Sequence, residues 1–210
     1  MDFNLITDNI AFLGASKLGG TKSHFKLVPP ERKEFVPEKA DLNNMRRAAV
    51  LALIYPKNNK AYIVLIKRAR YQGVHSAQVS FPGGKPEKED SSLYHTALRE
   101  TYEEVGVCNE EKTTLLRELT QVYIPPSNFL VTPFLSFLNE TPVFNKNHEV
   151  DEIIELALAD LIDDKNIIIK NMSTSYMDKI DVPCFKINNQ IIWGATAMVL
   201  SEIKDLLKKL

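Results

Sequence analysis

The stretch FPGGKPEKEDSSLYHTALRETYEEVGV, Phe81 to Val107, joins a Pro-Gly-Gly turn to a helix-forming run in which Glu100, Glu103 and Glu104 fall three and four residues apart. Side chains at that spacing share one face of a helix. Like charges so placed weaken an isolated helix by roughly 0.2–0.5 kcal/mol per pair. A divalent cation offsets this repulsion: Mg²⁺ or Mn²⁺ takes oxygen ligands, keeps several waters, and binds through carboxylates together with substrate phosphates. The consecutive glycines Gly83 and Gly84 permit backbone dihedrals that bring an amide or carbonyl close to a ligand. A glycine-rich loop feeding an acidic helix suits phosphate bridged by a cation better than bare phosphate. The helix itself is expected over about Ser92–Val105. Asp90, Ser91 and Ser92 all offer N-cap chemistry, and Gly106 stands where a left-handed C-cap ends a helix.

Upstream, AAVLALIYPKNNKAYIVLIKRA holds two β-rich runs around PKNNKA, the pattern of a hairpin, and AQVSF is a short strand before the Pro-Gly-Gly turn. Downstream, LLRELTQVYI and FLVTPFLSFL read as strands joined by the rigid loop PPSN. IIELALADLIDD mixes strand and short-helix signals. VPCFKINNQIIWG predicts a hairpin turning at Asn188-Asn189, with Trp193 and Phe185 as core aromatics. The final ATAMVLSEIKDLLKKL puts Met198, Val199, Ile203, Leu206 and Leu210 on one helical stripe. Residues from about Ala15 to Asn44 are polar, carry Gly-Gly and Pro-Pro, and show no sustained period, which predicts an extended lead-in. The order of elements predicts an α/β domain with a mixed sheet between helices over residues 45–210, preceded by an N-terminal extension over 1–44.

With 26 Lys+Arg against 27 Asp+Glu, the net charge of -1 gives no reason to expect general affinity for nucleic acid. The amino terminus lacks a charged start and a long apolar core, and no stretch approaches about 18 apolar residues, so neither a secretory signal nor a spanning helix is expected. Cys108 and Cys184 form no zinc or disulfide spacing, which predicts two reduced thiols in a cytoplasmic protein.

Arg99-Glu100-Thr101-Tyr102-Glu103-Glu104-Val105-Gly106-Val107 resembles the second half of the Nudix hydrolase signature, with Thr101 in place of an apolar residue. The first half departs from it: five residues on from Gly84 comes Asp90 rather than Glu, and eight residues rather than seven separate Asp90 from Arg99. A longer first half with FPGGK and TALRE is similar to the coenzyme A pyrophosphatase branch of the family. Leu65-Ile66-Lys67-Arg68-Ala69 and His75-Ser76-Ala77-Gln78-Val79-Ser80-Phe81-Pro82-Gly83-Gly84 run parallel to that branch's upstream motifs, with Gly73, Ala77 and Glu87 as departures. YIPPSNFLVTPF and IIWGATA extend the likeness over roughly residues 47 to 200.

The resemblance implies a Nudix-type α/β/α sandwich and metal-dependent hydrolysis of a phosphoanhydride. The substrate it implies is coenzyme A or a derivative, cleaved to 4'-phosphopantetheine and adenosine 3',5'-bisphosphate. The alternatives are another nucleoside diphosphate derivative such as ADP-ribose or NADH, or a domain that senses nucleotides without cleaving them. Glu100 and Glu104 are expected to ligate Mg²⁺ or Mn²⁺, with Glu103 sharing the metal cluster or orienting water. Arg99 is expected to hold a carboxylate, most simply that of Glu103 four residues on, or else to form an ordinary surface ion pair. Glu149 is expected as general base or further ligand, with Asp151 and Glu152 as rivals, or as a solvated loop acid. Arg68 and Arg70 suit phosphate oxygens, and His75 and Gln78 suit the nucleotide or the loop. Gly83 or Gly84 offers a carbonyl to the cation or simply makes a tight turn. The partner is a small nucleotide, with no nucleic acid and no membrane, and a homodimer is compatible with the chain.

Overall fold

The structure is a computed structural model that describes residues 1–34, 44–69, 78–107, 111–173 and 178–210. Three short helices open it: α1 (Phe3–Thr7), α2 (Ile10–Ala15) and α3 (Thr21–His24), followed by 3-10 turns at Phe25–Leu27 and Pro30–Glu34. The extended lead-in expected over Ala15–Asn44 is therefore replaced, in its described part, by helical turns that bury Ser23, His24, Leu27 and Val28. Their anchors are distant in sequence. Buried Glu202 accepts hydrogen bonds from Gly20 N at 2.6 Å and from Thr120 N at 2.9 Å, and Ser201 Oγ donates to the Ser23 carbonyl at 2.7 Å. A local window shows no period for such a segment because its order comes from partners about 180 residues away.

β1 (Arg46–Lys57) and β2 (Lys60–Arg68) form the expected hairpin. It turns on Asn58 and Asn59, at φ 50° and 60°, the paired left-handed conformation that matches strand twist and that asparagine tolerates. β1 is the central strand. Along one edge it pairs antiparallel with β2 and with the two-residue β4 (Gly83–Gly84), and along the other it runs parallel to β7 (Phe129–Phe137). β2 also carries β8 (Val150–Ala157) and the short β3 (Val79–Ser80).

LLRELTQVYI, expected as one strand, is two: β5 (Thr114–Glu118) and β6 (Val122–Ile124), both on β7. The break lies opposite Pro133. Its carbonyl accepts from Leu119 N at 2.9 Å, but proline has no N–H to return, so the ladder is interrupted there.

Both faces of the sheet are covered. Ala49, Leu51, Leu53 and Tyr55 of β1 pack in one cluster with Ala97 and Leu98 of α4 (Leu93–Val105). Ala52 and Ile54 face the other way, into the cluster formed by α6 (Gly194–Leu207) and the N-terminal helices. Of the predicted α6 stripe, Met198, Val199, Ile203 and Leu206 are buried and Leu210 packs against the same core.

α5 (Leu158–Ile162) follows β8. A second sheet then forms from β9 (Ile167–Met172), β10 (Ile180–Ile187) and β11 (Gln190–Ile192), with the predicted turn at Asn188 and Asn189. The result is the expected mixed sheet between helices. Phe185 is buried as expected, whereas Trp193 is only half-buried, because it lies between β11 and α6 and lines a cavity rather than the core. Cys184 is a free, buried thiol, and Cys108 lies outside the described residues. Among the described residues, no helix is long and apolar enough to cross a membrane.

Candidate active site

α4 starts where Ser92 Oγ accepts from His95 N at 3.1 Å and stops at Gly106, which is left-handed at φ 75°. Its buried face includes Ala97, Thr101, Glu104 and Val105 at helical spacing, so Glu104 occupies a position otherwise used for packing. Thr101, where the family pattern has an apolar residue, satisfies its hydroxyl by donating to the Ala97 carbonyl at 2.6 Å.

β4 lies beside the central strand with Gly84 opposite Ala49 and Gly83 opposite Val50. This brings Gly83 N to 2.8 Å from Glu104 Oε2, while Arg68 Nη1 stands 3.6 Å from Glu104 Oε1. Burial is the main reason the Glu104 carboxyl is pushed up to about 7. The charges of Glu100 and Glu149 act in the same direction, against the Gly83 amide and Arg68. The Glu100 carboxyl is also raised, first by burial and then by Glu103 and Glu149, with Arg99 opposing. A Cβ on Gly84 would stand 2.3 Å from Glu100 Oε1, so the missing side chain is the space that the Glu100 carboxylate occupies.

Arg99 is the organiser of the remaining acids. Its Nε and Nη2 each donate at 3.0 Å to the two oxygens of Asp90, Nη1 reaches Glu103 Oε1 at 3.2 Å, and Nη2 reaches the Lys85 carbonyl at 3.0 Å and Glu100 Oε1 at 3.4 Å. Asp90 is almost wholly buried. It also accepts from Glu87 N and Thr96 Oγ1, both at 2.9 Å, and the Arg99 hydrogen bond holds its carboxyl well below the usual range. Asp90, expected from sequence as an N-cap candidate and as a departure from the Nudix pattern, is thus a residue of the site. Its carboxylate ties the turn at Glu87 to Arg99.

Replacing Asp90 by Asn keeps the shape but removes one acceptor of the fork. The expected result is a roughly 10–100-fold fall in kcat/KM, the usual effect of freeing a group that positions metal ligands, measured by steady-state kinetics. Because the folded carboxyl is held low, its stabilisation is present above the ordinary value and lost in acid. The melting-temperature gap between wild type and Asp90→Asn therefore closes below about pH 4.

Glu149 reaches the site through the loop after β7. Asn145 N donates to the Val105 carbonyl at 2.9 Å and Asn147 N to the Glu104 carbonyl at 3.2 Å, fastening this loop to the end of α4. Ala69 N donates to the Glu149 carbonyl at 2.8 Å. Glu149 is exposed, yet close enough that its charge raises the carboxyls of both Glu100 and Glu104. Its rivals Asp151 and Glu152 face Lys67 instead, at 3.6 and 3.9 Å.

Arg68, Gln78, Gly83 and Gly84 all line one cavity of about 420 Å³, whereas His75 and Arg70 lie outside the described residues. Arg46, Tyr123 and Phe129 line the same cavity and were not singled out from sequence, and Trp193, expected in the core, lines it too. Among the described residues, no three acidic, histidine or cysteine side chains already converge on one cation position, because Glu103 is turned to Arg99 and half exposed. Glu100 and Glu104 fit a hard cation by their chemistry: both are carboxylates drawn out of solvent, and both are raised by neighbouring negative charge.

The NUDIX domain model matches residues 45–174. The chain belongs to the Nudix hydrolase family. It is 30% identical over 165 residues to the human mitochondrial coenzyme A diphosphatase NUDT8, covering 76% of this chain and 68% of that protein. It is 31% identical over 168 residues to the Nudix hydrolase NudL of Yersinia pestis, covering 75% of this chain and 78% of that one. Among solved structures, the Nudix hydrolase RenU of M. smegmatis aligns with a TM-score of 0.55 at 15% identity, covering 79% of this chain and 88% of its own, which shows the shared fold. Like the rest of the family, this Nudix hydrolase belongs to enzymes that generally use divalent cations.

Proposed function

We propose that this Nudix hydrolase cleaves the diphosphate of coenzyme A or a close derivative, with Mg²⁺ or Mn²⁺, to give 4'-phosphopantetheine and adenosine 3',5'-bisphosphate. The observation that carries this is the meeting of a buried carboxylate, Glu104, with the double glycine at the end of the cavity, in a chain 30% identical to a coenzyme A diphosphatase. Glu100 and Glu104 would hold the cation, with a Gly83 or Gly84 carbonyl beside them. When bound, the cation neutralises charge on the diphosphate and acidifies water.

The chain's own residues do the rest. Arg99, itself held by Asp90, fixes Glu103 and Glu100 directly, so the acids would meet the substrate in one geometry. Arg68 lines the cavity beside Glu104 and offers donors to the diphosphate oxygens, and Gln78 offers an amide. Glu149, exposed and with its charge felt at Glu104, would take a proton from the attacking water, with Glu103 the second candidate.

The raised Glu104 carboxyl has a consequence for pH. Since the folded protein binds this proton more tightly than the unfolded chain does, the ion-free fold loses stability as pH rises from about 4.5 to about 7. Cation binding requires the deprotonated form, so Mn²⁺ affinity should fall by up to about tenfold per pH unit below pH 7, measurable by calorimetric titration. The function itself is tested by incubating the protein with coenzyme A, ADP-ribose, diadenosine polyphosphates and nucleoside triphosphates. Cleavage of coenzyme A is expected, and brisk cleavage of ADP-ribose without it overturns the substrate assignment.

A further inference from the structure

The cavity has a second end, away from the carboxylates. Alternate residues of β1 share one face, and Arg46, Ala48 and Val50 all line the cavity. Ala49 and Val50 are opposite Gly84 and Gly83, so Arg46 lies three to four residues, about 10–13 Å, along the strand from the double glycine. In the parallel neighbour β7, Phe129 is the register partner of Arg46 and also lines the cavity. The Arg46 guanidinium lies 4.2 Å from the centre of the Phe129 ring, and Lys85 Nζ, from the residue after Gly84, lies 5.9 Å from the same centre. An aromatic face holds a cation by its quadrupole while leaving the N–H donors unspent. Among the described residues, neither Arg46 nor Lys85 is paired with a carboxylate, although Arg68 and Arg99 both are. Glu31, the acid on the N-terminal wall of the cavity, forms no ion pair with either.

We propose that Arg46 and Lys85, gathered at the Phe129 ring, form a subsite for a phosphate separate from the diphosphate, and so select nucleotides that carry an additional phosphomonoester. Resting on the function proposed above, this subsite would take the ribose 3'-phosphate of coenzyme A. A planar guanidinium grips phosphate with two parallel hydrogen bonds, and the ammonium adds charge from the side nearer the diphosphate. ADP-ribose and NADH lack this group, so Arg46 and Lys85 are specificity-determining residues rather than catalytic ones.

The test compares binding of adenosine 3',5'-bisphosphate and of 5'-AMP by calorimetric titration, for the wild type, Arg46→Ala, and Arg46→Ala with Lys85→Ala. The wild type is expected to bind the bisphosphate at least tenfold more tightly, and the variants to lose most of that advantage while 5'-AMP binding changes little. Both side chains are exposed, so an unchanged melting temperature should accompany the loss. Phe129→Leu is expected to give an intermediate ratio, since the cations remain but their support is removed. Equal affinity of the wild type for the two ligands, or an advantage that survives the double substitution, overturns the subsite. If the preference for bisphosphate is present but coenzyme A is not cleaved, the proposed reaction fails and the subsite stands.

Discussion

Glu104→Gln is expected to lower kcat/KM by well over the roughly 10–100-fold that follows from disturbing a group which merely orients a metal ligand. The fold should survive. Gln retains the length of the side chain and an oxygen to accept from Gly83 N, now at 2.8 Å from Glu104 Oε2. What it removes is a charge that burial already disfavours, as the carboxyl pushed up to about 7 records. Without divalent cation, the variant should therefore melt at the same temperature as the wild type or higher at pH 8. That combination of lost turnover with retained or increased stability distinguishes a residue kept for chemistry from one kept for packing. A melting temperature that drops along with activity would instead make Glu104 a structural acid paired with Arg68.

The two glycines of β4 should respond to alanine in opposite ways. Gly83 has φ 146°, in the region that L side chains rarely adopt, and a Cβ there would meet the Ala49 carbonyl oxygen at 2.3 Å and the Val50 Cα at 2.6 Å. These are backbone atoms of the central strand and cannot rotate aside. Strained backbone and overpacking each cost about 1–3 kcal/mol, so Gly83→Ala should destabilise by about 3–5 kcal/mol and lower the melting temperature by about 10 °C. At Gly84 the obstacle is the carboxylate of Glu100, the free end of a side chain. Gly84→Ala should leave the fold nearly intact, push Glu100 out of place, and reduce turnover at saturating substrate. Thermal melts alongside kinetics check the pair, and equal destabilisation of both variants would contradict this division of labour.

Local rules made much of this legible in sequence. The asparagine pairs at 58–59 and 188–189 and the left-handed Gly106 are each dictated by neighbours within a few residues, and each is found where expected. The glutamates of α4 were legible as a group but not individually. Spacing alone puts Glu100, Glu103 and Glu104 on one side of the helix, whereas only the packing of α4 against β1 shows that Glu104 is buried, Glu100 partly so, and Glu103 exposed to Arg99.

What escaped the sequence depends on distant contacts. Asp90 is defined by Arg99, nine residues on, and the turns at residues 20–28 by Glu202, Ser201 and Asp205 on the last helix. Arg46 and Phe129 become neighbours only through the parallel register of β1 and β7. Trp193 has the composition of a core residue and the location of a cavity wall, a distinction that no periodic pattern in the three-residue arm before it can make.

The most direct measurement of the central claim is Mn²⁺ binding, followed by electron paramagnetic resonance, in the wild type, Glu100→Gln and Glu104→Gln at pH 8. The account predicts saturable binding in the wild type, weakened at least tenfold in each variant, with coenzyme A cleavage falling in step. Binding of Mn²⁺ to both variants with wild-type affinity would contradict it.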